Sequence, residues 1–158
     1  MLRARLLLLG VLVAAWGSVG FALYTQHVWG MLPCPWCVLQ RLVFVLIGAA
    51  ALLGLLLPGA GGRRLGAGLA LPLALAGMGT ALWQHFVAAA SASCNLSMAD
   101  RLMGYTGLDS RWPEVFAAYA SCADAKVDLA GVPYEFWSLA LFSALALAAW
   151  RVLSRPMA

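Results

Sequence analysis

The sequence predicts an all-α membrane protein, a four-transmembrane-helix bundle. Of its 158 residues 64% are hydrophobic, and the mean hydropathy is +0.89. Only 10% are charged, against about 25% in a typical soluble domain. The apolar residues also gather into four long runs. Too few polar side chains remain to cover a water-exposed surface, which excludes an ordinary soluble enzyme, a disordered regulator and a secreted disulfide knot. The net charge of +4 does not point to nucleic acid, because the charges flank the apolar runs instead of forming a basic face. The expected surroundings are a lipid bilayer.

A helix needs about 20 apolar residues to cross roughly 30 Å of hydrocarbon. Lipid offers no partner to open backbone, so each run is read as a helix. The first span covers residues 6–24 and carries no charge. The second covers about 35–57, with Arg41 as the one charge near its start. The third covers 65–87, with Pro72 inside it and His85 near its end; the fourth covers about 136–150. Arg3 and Arg5 ahead of span one resemble a secretory signal. The run is longer than the usual core of about 7–15 residues and no small-x-small cleavage site follows, so a retained anchor is expected. No repeat, low-complexity linker or second soluble domain is visible, and residues 1–158 read as one membrane domain.

Arginines set the orientation. Arg3, Arg5, Arg63, Arg64, Arg151 and Arg155 lie before span one, between spans two and three, and after span four, segments that hold no acid. All six acidic residues fall between span three and the mouth of span four. Both termini are therefore expected in the cytoplasm, with a short periplasmic loop at about 25–34 and a long one at about 88–135. Trp29, Trp36, Tyr134, Phe136 and Trp137 are expected to anchor the outer interface.

All four cysteines, Cys34, Cys37, Cys94 and Cys122, map to those outer connections or their helix junctions. That is the side on which disulfides persist. Cys34-Pro35-Trp36-Cys37 is a Cys-x-x-Cys pair, a common arrangement for redox chemistry. Pro35 suits the first position of a helix, where a backbone N–H has no intrahelical partner. Cys37 then lies in the first turn of span two, where backbone N–H groups and the helix dipole favour a thiolate. Arg41 follows one turn later on the same face. It can serve as an interface anchor, or it can stabilise the sulfur and offer donors to a carbonyl oxygen of a bound ligand. Cys94 and Cys122 read either as a structural staple or as a pair that exchanges with Cys-x-x-Cys. Four cysteines allow three connectivities, and spacing does not choose among them.

The rest of the long loop is partly readable. Trp112, Val115, Phe116 and Tyr119 recur at helical spacing, which predicts one apolar face of a short helix resting on the membrane or packed on the loop. Asn95 or Ser97 is expected to cap a second short helix carrying Leu96, Ala99, Leu102 and Met103. His85 reads as an interfacial polar residue or a ligand contact. Gln40 and His27 read as structural or solvated. No phosphate loop, His-Glu-x-x-His, Gly-x-Ser-x-Gly or haem-attachment motif occurs.

The run Cys34-Pro-Trp-Cys37-Val-Leu-Gln40-Arg41, opening the second of four spans with a further cysteine pair before the fourth, resembles the bacterial disulfide-bond formation protein B family (DsbB). In the vitamin K epoxide reductase family, which also has four helices and four cysteines, the order of the two pairs is reversed. The resemblance to the DsbB family implies a thiol:quinone oxidoreductase of the bacterial inner membrane. Such an enzyme reoxidises a periplasmic thioredoxin-like dithiol oxidase (DsbA-type) and passes the electrons to membrane quinone, ubiquinone or menaquinone. On this chain it implies that the partner attacks a Cys94–Cys122 disulfide at Cys94, that Cys122 exchanges with Cys34, and that Cys37 faces the quinone. Arg41 and His85 are the implied quinone contacts, and no metal is implied. Two rival readings are a non-catalytic subunit stapled by its disulfides and a metal site built from Cys34, Cys37 and His27. Arg41 beneath Cys37 argues against the first, since a staple needs no buried cation. The lack of a further ligand in register argues against the second.

Overall fold

The computed structural model describes residues 2–90 and 97–154. Four of its helices are long and apolar enough to cross a membrane. They are α1 (Leu2–Trp29), α2 (Pro35–Leu56), α3 (Gly59–Phe86) and α7 (Tyr134–Leu153), and a 3₁₀ turn over Ala88–Ala90 follows α3. Between α3 and α7 lie three short helices, α4 (Met98–Thr106), α5 (Leu108–Arg111) and α6 (Pro113–Phe116). A two-stranded antiparallel hairpin, β1 (Asp128–Leu129) and β2 (Val132–Pro133), leads into α7. Its turn is Ala130-Gly131, both at positive φ (56° and 78°). Cys94, Asn95, Leu96 and Arg155 lie outside the described residues.

The helices overrun the apolar runs that announce them. Hydropathy falls at the first polar residue, whereas a helix ends where its backbone hydrogen bonding ends. α1 therefore continues through Thr25, Gln26 and His27, residues expected in the short loop. It stops at Gly30, whose φ of 67° is the left-handed conformation that favours glycine just past a helix C-terminus, and the Met31 N–H reaches back to the Thr25 carbonyl at 3.2 Å. α3 likewise starts at Gly59, which places Arg63 and Arg64 inside its first turns. α2 begins at Pro35, as the sequence predicts.

Small residues bring the membrane helices together. Gly62, Gly66, Ala70 and Ala74 recur every four residues along α3 and are buried, the small-xxx-small pattern that allows close backbone approach in lipid. A Cβ placed on Gly66 would lie 2.6 Å from Gly54 Cα and 2.7 Å from the Ala50 carbonyl oxygen, both backbone atoms of α2. Farther along, the rings of Phe44 and Phe142 stack at 4.0 Å between α2 and α7, and a Cβ on Gly77 would strike Phe142. Large apolar side chains such as Leu6, Val13, Leu46, Leu75 and Leu147 stay exposed, as a bilayer-facing surface requires.

The long connection matches its reading at Ser97 and departs from it over the stripe from Trp112 to Tyr119. Ser97 caps α4, with a complete capping box to Asp100, and Ala99 and Met103 are buried beneath it. Trp112, Val115, Phe116 and Tyr119, however, do not share one helix face. Pro113 cannot continue α5 because it has no N–H to donate; it opens α6 instead, which ends at Phe116 with Ala117 extended. Phe116 is buried while Trp112 and Tyr119 are exposed. Trp36 is a second correction. It is no interfacial anchor but is buried with Cys34, Val38 and Phe116, near Trp83.

Gly66→Ala should lower stability despite the helix propensity it gains, by about 1–3 kcal/mol, because its methyl meets backbone that cannot move aside. Gly68→Ala, with open space around its Cβ, is the matched control and should be neutral or stabilising. Thermal unfolding in detergent distinguishes the two; equal midpoints would contradict the close approach of α2 and α3.

Candidate active site

The site begins with how α2 starts. Cys34 is its N-cap in extended conformation, and the Cys34 sulfur accepts the Cys37 backbone N–H at 3.4 Å. A proline at the first helical position leaves no N–H there to satisfy, and the sulfur takes the place that a serine or aspartate oxygen usually fills. This geometry folds the pair together, with Cys34 Sγ and Cys37 Sγ 3.0 Å apart. The connection after α6 then crosses the same spot. The N–H groups of Tyr119 and Ala120 both donate to the Pro33 carbonyl, at 3.0 and 3.3 Å. That anchoring sets Cys122 Sγ 2.6 Å from Cys34 Sγ. Cys34 thus has a thiol on each side. Its own thiol is pushed well above the ordinary range by the Cys122 contact, then by Cys37 and by burial.

The two pairs of the sequence are therefore represented by three sulfurs in contact, 88 residues apart along the chain at the widest. Cys34 is fully buried, Cys122 is buried and Cys37 is half-buried. Cys94 is not among the described residues, so its relation to Cys122 is not fixed by the geometry. His27 is exposed, and no group of three metal-ligating side chains occurs among the described residues.

Cys37 faces a cavity of about 430 Å³ enclosed by α1, α2, α7 and the hairpin, with Gln84 reaching in from α3. Its walls are mostly apolar, including Val19, Phe44, Leu129 and Leu141. A few polar groups converge on it: Gln40, Arg41, Gln84, Tyr134 and Glu135. An apolar cleft of this size with a few placed polar groups is the usual form of a small-ligand site. Phe21, Leu32 and Trp137 line the cavity and are also about half exposed, so it opens between α1 and α7 toward the lipid-facing surface.

Arg41 is buried, with 6% of its surface exposed. Its guanidinium donates to Gln26 Oε1 at 2.6 Å and to the backbone carbonyls of Val115 (3.1 Å) and Ala22 (3.5 Å). It is therefore a buried cavity residue with acceptors from α1 and α6, and no interface anchor. Gln26 in turn donates to the Glu114 carbonyl at 3.2 Å. On the other side of Cys37, Gln84 Nε2 donates to its sulfur at 3.2 Å, while Gln40 Nε2 donates to Gln84 Oε1 at 2.7 Å. Gln40, expected to be structural or solvated, is part of this buried chain.

His85 is set apart from the other predicted residues. It does not line the cavity. Its Nδ1 lies 2.6 Å from Glu135 Oε1, and Glu135 is the member of the pair that faces the cavity. The sequence reading missed Gln26, Gln84 and Glu135. The signal for the two glutamines was an amide near the end of a helix otherwise free of amides. Glu135 was used only to orient the chain.

Comparison with known proteins agrees with the resemblance. The family model "Disulfide bond formation protein DsbB" matches residues 4–152. Disulfide bond formation protein B of Nitrosospira multiformis is 36% identical over 145 residues, covering 90% of this chain and 86% of the relative. The protein of the same name from Aromatoleum aromaticum is 35% identical over 155 residues, covering 96% and 93%. That of Ralstonia nicotianae is 35% identical over 146 residues, covering 92% and 91%.

The sulfur contacts make a trapping prediction. In a Cys37→Ser, Cys94→Ser double variant, mild oxidation in detergent should join Cys34 to Cys122 within one chain, read by non-reducing peptide mapping. Two persistent free thiols, or dimers cross-linked between chains, would contradict the contact.

Proposed function

This chain belongs to the DsbB family of disulfide bond formation proteins and is a multi-pass membrane oxidoreductase; on that premise we propose that it oxidises a thioredoxin-like dithiol oxidase of the DsbA type and passes the electrons to membrane quinone. The observation that carries this reading is the run of sulfur contacts from Cys122 through Cys34 to Cys37, ending at an apolar cavity that opens toward lipid. A disulfide staple has no use for a third thiol in contact, nor for a cavity behind it. The proposed orientation puts the cysteine end of the bundle in the periplasm and both termini in the cytoplasm of a bacterial inner-membrane protein, following the arginine distribution.

The residues divide the work as follows. A thiolate of the reduced partner attacks the Cys94–Cys122 disulfide at Cys94, forming a mixed disulfide and releasing Cys122. The partner's second thiolate resolves that bond and leaves with a disulfide of its own, so two electrons now reside on Cys94 and Cys122. Cys122 attacks Cys34 of an oxidised Cys34–Cys37 pair, and Cys37 is the leaving thiolate. Cys94 then displaces Cys34, restoring the loop disulfide. Exchange of this kind depends on an accessible sulfur, an attacking thiolate and a good leaving group. Cys37 is suited to be the leaving group by its place in the first turn of α2 and by the Gln84 N–H on its sulfur. Burial of Cys34 keeps outside thiols from short-circuiting the pair.

The cavity fits a quinone head group: its walls are apolar, while Arg41, Gln40 and Gln84 offer donors beside Cys37. A bound quinone supplies an acceptor for two electrons and two protons, with a potential above that of most dithiols. Arg41 is the donor proposed for a quinone oxygen. Gln26 and the Val115 carbonyl hold its guanidinium in place, so little reorganisation is needed on binding.

The test is loss of quinone absorbance when a reduced thioredoxin-like dithiol oxidase is added to the purified protein in detergent. Catalytic loss is expected with the wild type and none with Cys37→Ser. Arg41→Ala should raise the KM for quinone about tenfold or more, the effect of losing a charged hydrogen bond worth roughly 1.5 kcal/mol. Wild-type protein whose cysteines stay oxidised beside the reduced partner, with no quinone consumed, would leave the stapled subunit as the better reading.

A further inference from the structure

We propose that His85 and Glu135 form a proton relay for the cavity, in which Glu135 gives a proton to the quinone oxygen beside it and His85 replaces that proton from the aqueous edge of the membrane. This deepens the quinone reading above and rests on it. The two residues come from different helices, the last turn of α3 and the first turn of α7, and meet at 2.6 Å. They differ in what else they see. The Glu135 side chain is 8% exposed and lines the cavity; the His85 side chain is 31% exposed and does not. The pair therefore runs from a partly open imidazole to a carboxyl facing the proposed substrate.

The surroundings favour transfer over a static ion pair. The charged group expected to satisfy a cavity carboxylate is Arg41, yet the guanidinium is bonded to Gln26 and two backbone carbonyls. No ion pair joins it to Glu135 among the described residues. The partner of Glu135 is instead an imidazole, which can take a proton at one ring nitrogen while releasing another from the second. Phe86 and Phe136 bracket the imidazole at centroid distances of 4.9 and 4.6 Å, fixing the ring with Nδ1 toward Glu135. The other titratable or charged groups that line the cavity with Glu135 are Cys37 and Arg41 from α2 and Tyr134 from α7; α1 contributes none.

The balance of the step is simple. The thiolates of Cys34 and Cys37 give up two electrons and form one S–S bond. The quinone takes those electrons and two protons, and its two carbonyl oxygens become hydroxyls. Oxidation of the partner dithiol releases two protons to the aqueous phase, so none is gained or lost overall. One of the two taken up passes from Glu135, which is reprotonated through His85. The other reaches the second oxygen from the aqueous phase outside the relay.

The experiment uses the full-length protein in detergent, with its cysteines reduced and ubiquinone-1 added in single-turnover mode. Glu135→Gln keeps a hydrogen-bonding side chain but has no acidic proton to transfer. It should slow quinone reduction about a hundredfold, within the range for removal of a general acid, while leaving quinone affinity near that of the wild type. His85→Ala should slow the reaction likewise and recover when imidazole is added to the buffer, a rescue that a purely structural histidine would not give. Independently of turnover, the quinone-free protein should show a carboxyl infrared band that disappears in Glu135→Gln and shifts in His85→Ala. If the wild type reduces no quinone, the reading of the reaction falls and the relay with it. If the wild type is active and Glu135→Gln matches its rate and pH profile, the relay alone is overturned. Loss of quinone affinity in Glu135→Gln, or a His85→Ala variant that imidazole fails to rescue, overturns it too. Should Glu135→Gln not fold, His85→Ala with imidazole carries the test.

Discussion

The arrangement of the cysteine end depends on one requirement, that the buried guanidinium of Arg41 find acceptors. A charge taken out of water is costly unless it is paired or fully hydrogen-bonded. This one is met by an amide oxygen and two backbone carbonyls, with no carboxylate involved. Those acceptors belong to α1 and α6, so satisfying Arg41 also fixes how the first helix and the long connection sit on α2. Gln26 extends the tie by donating to the Glu114 carbonyl. Among the described residues the guanidinium has no counter-ion as a bonded partner, the condition under which a cation can still attract an electronegative ligand atom.

A second constraint is the way the chain enters α2. Proline at the first position and a cysteine sulfur as cap bend Cys34 over Cys37. The carbonyl just before them, on Pro33, then receives two N–H groups from the segment ahead of Cys122. The same short stretch thus creates the pair and recruits the third sulfur. Backbone hydrogen bonds make a firm hinge for this purpose, because they hold the segment while the side chains stay free to exchange partners. The remaining cavity wall comes from the β-hairpin, which places Val127 and Leu129 opposite α2, and whose Leu129 carbonyl accepts the indole N–H of Trp137 at 3.1 Å.

Sequence periodicity served well where one helix decides its own fate and poorly where neighbours decide. Ser97 could be read as a cap because a capping box is complete within four residues. The stripe from Trp112 to Tyr119 failed because Pro113 breaks the helix inside it, and because Phe116 finds a buried niche beside Cys122 that the exposed Trp112 and Tyr119 do not share. Trp36 failed for a related reason. Tryptophan near a helix end is common at a membrane interface, but here the loop folds over it. The small-residue face of α3 was legible in principle from its four-residue spacing, since close helix approach in lipid uses that pattern.

What the sequence alone determined is what chemistry and composition carry locally: four apolar helices, the start of α2 at Pro35, and a Cys-x-x-Cys with Arg41 one turn below it. Hydropathy and helix-start preferences act over a few residues and need no knowledge of the rest of the chain. Only the tertiary structure decided that Cys122 meets Cys34, that Gln84 rather than His85 contacts the Cys37 sulfur, and that Glu135 is what His85 faces. Each of these joins residues from separate helices or loops, 47, 50 and 88 residues apart along the chain. The Gln84–Cys37 contact follows from how closely glycine and alanine let α2 and α3 approach, and the Cys122–Cys34 contact from the Pro33 carbonyl that anchors the segment ahead of Cys122.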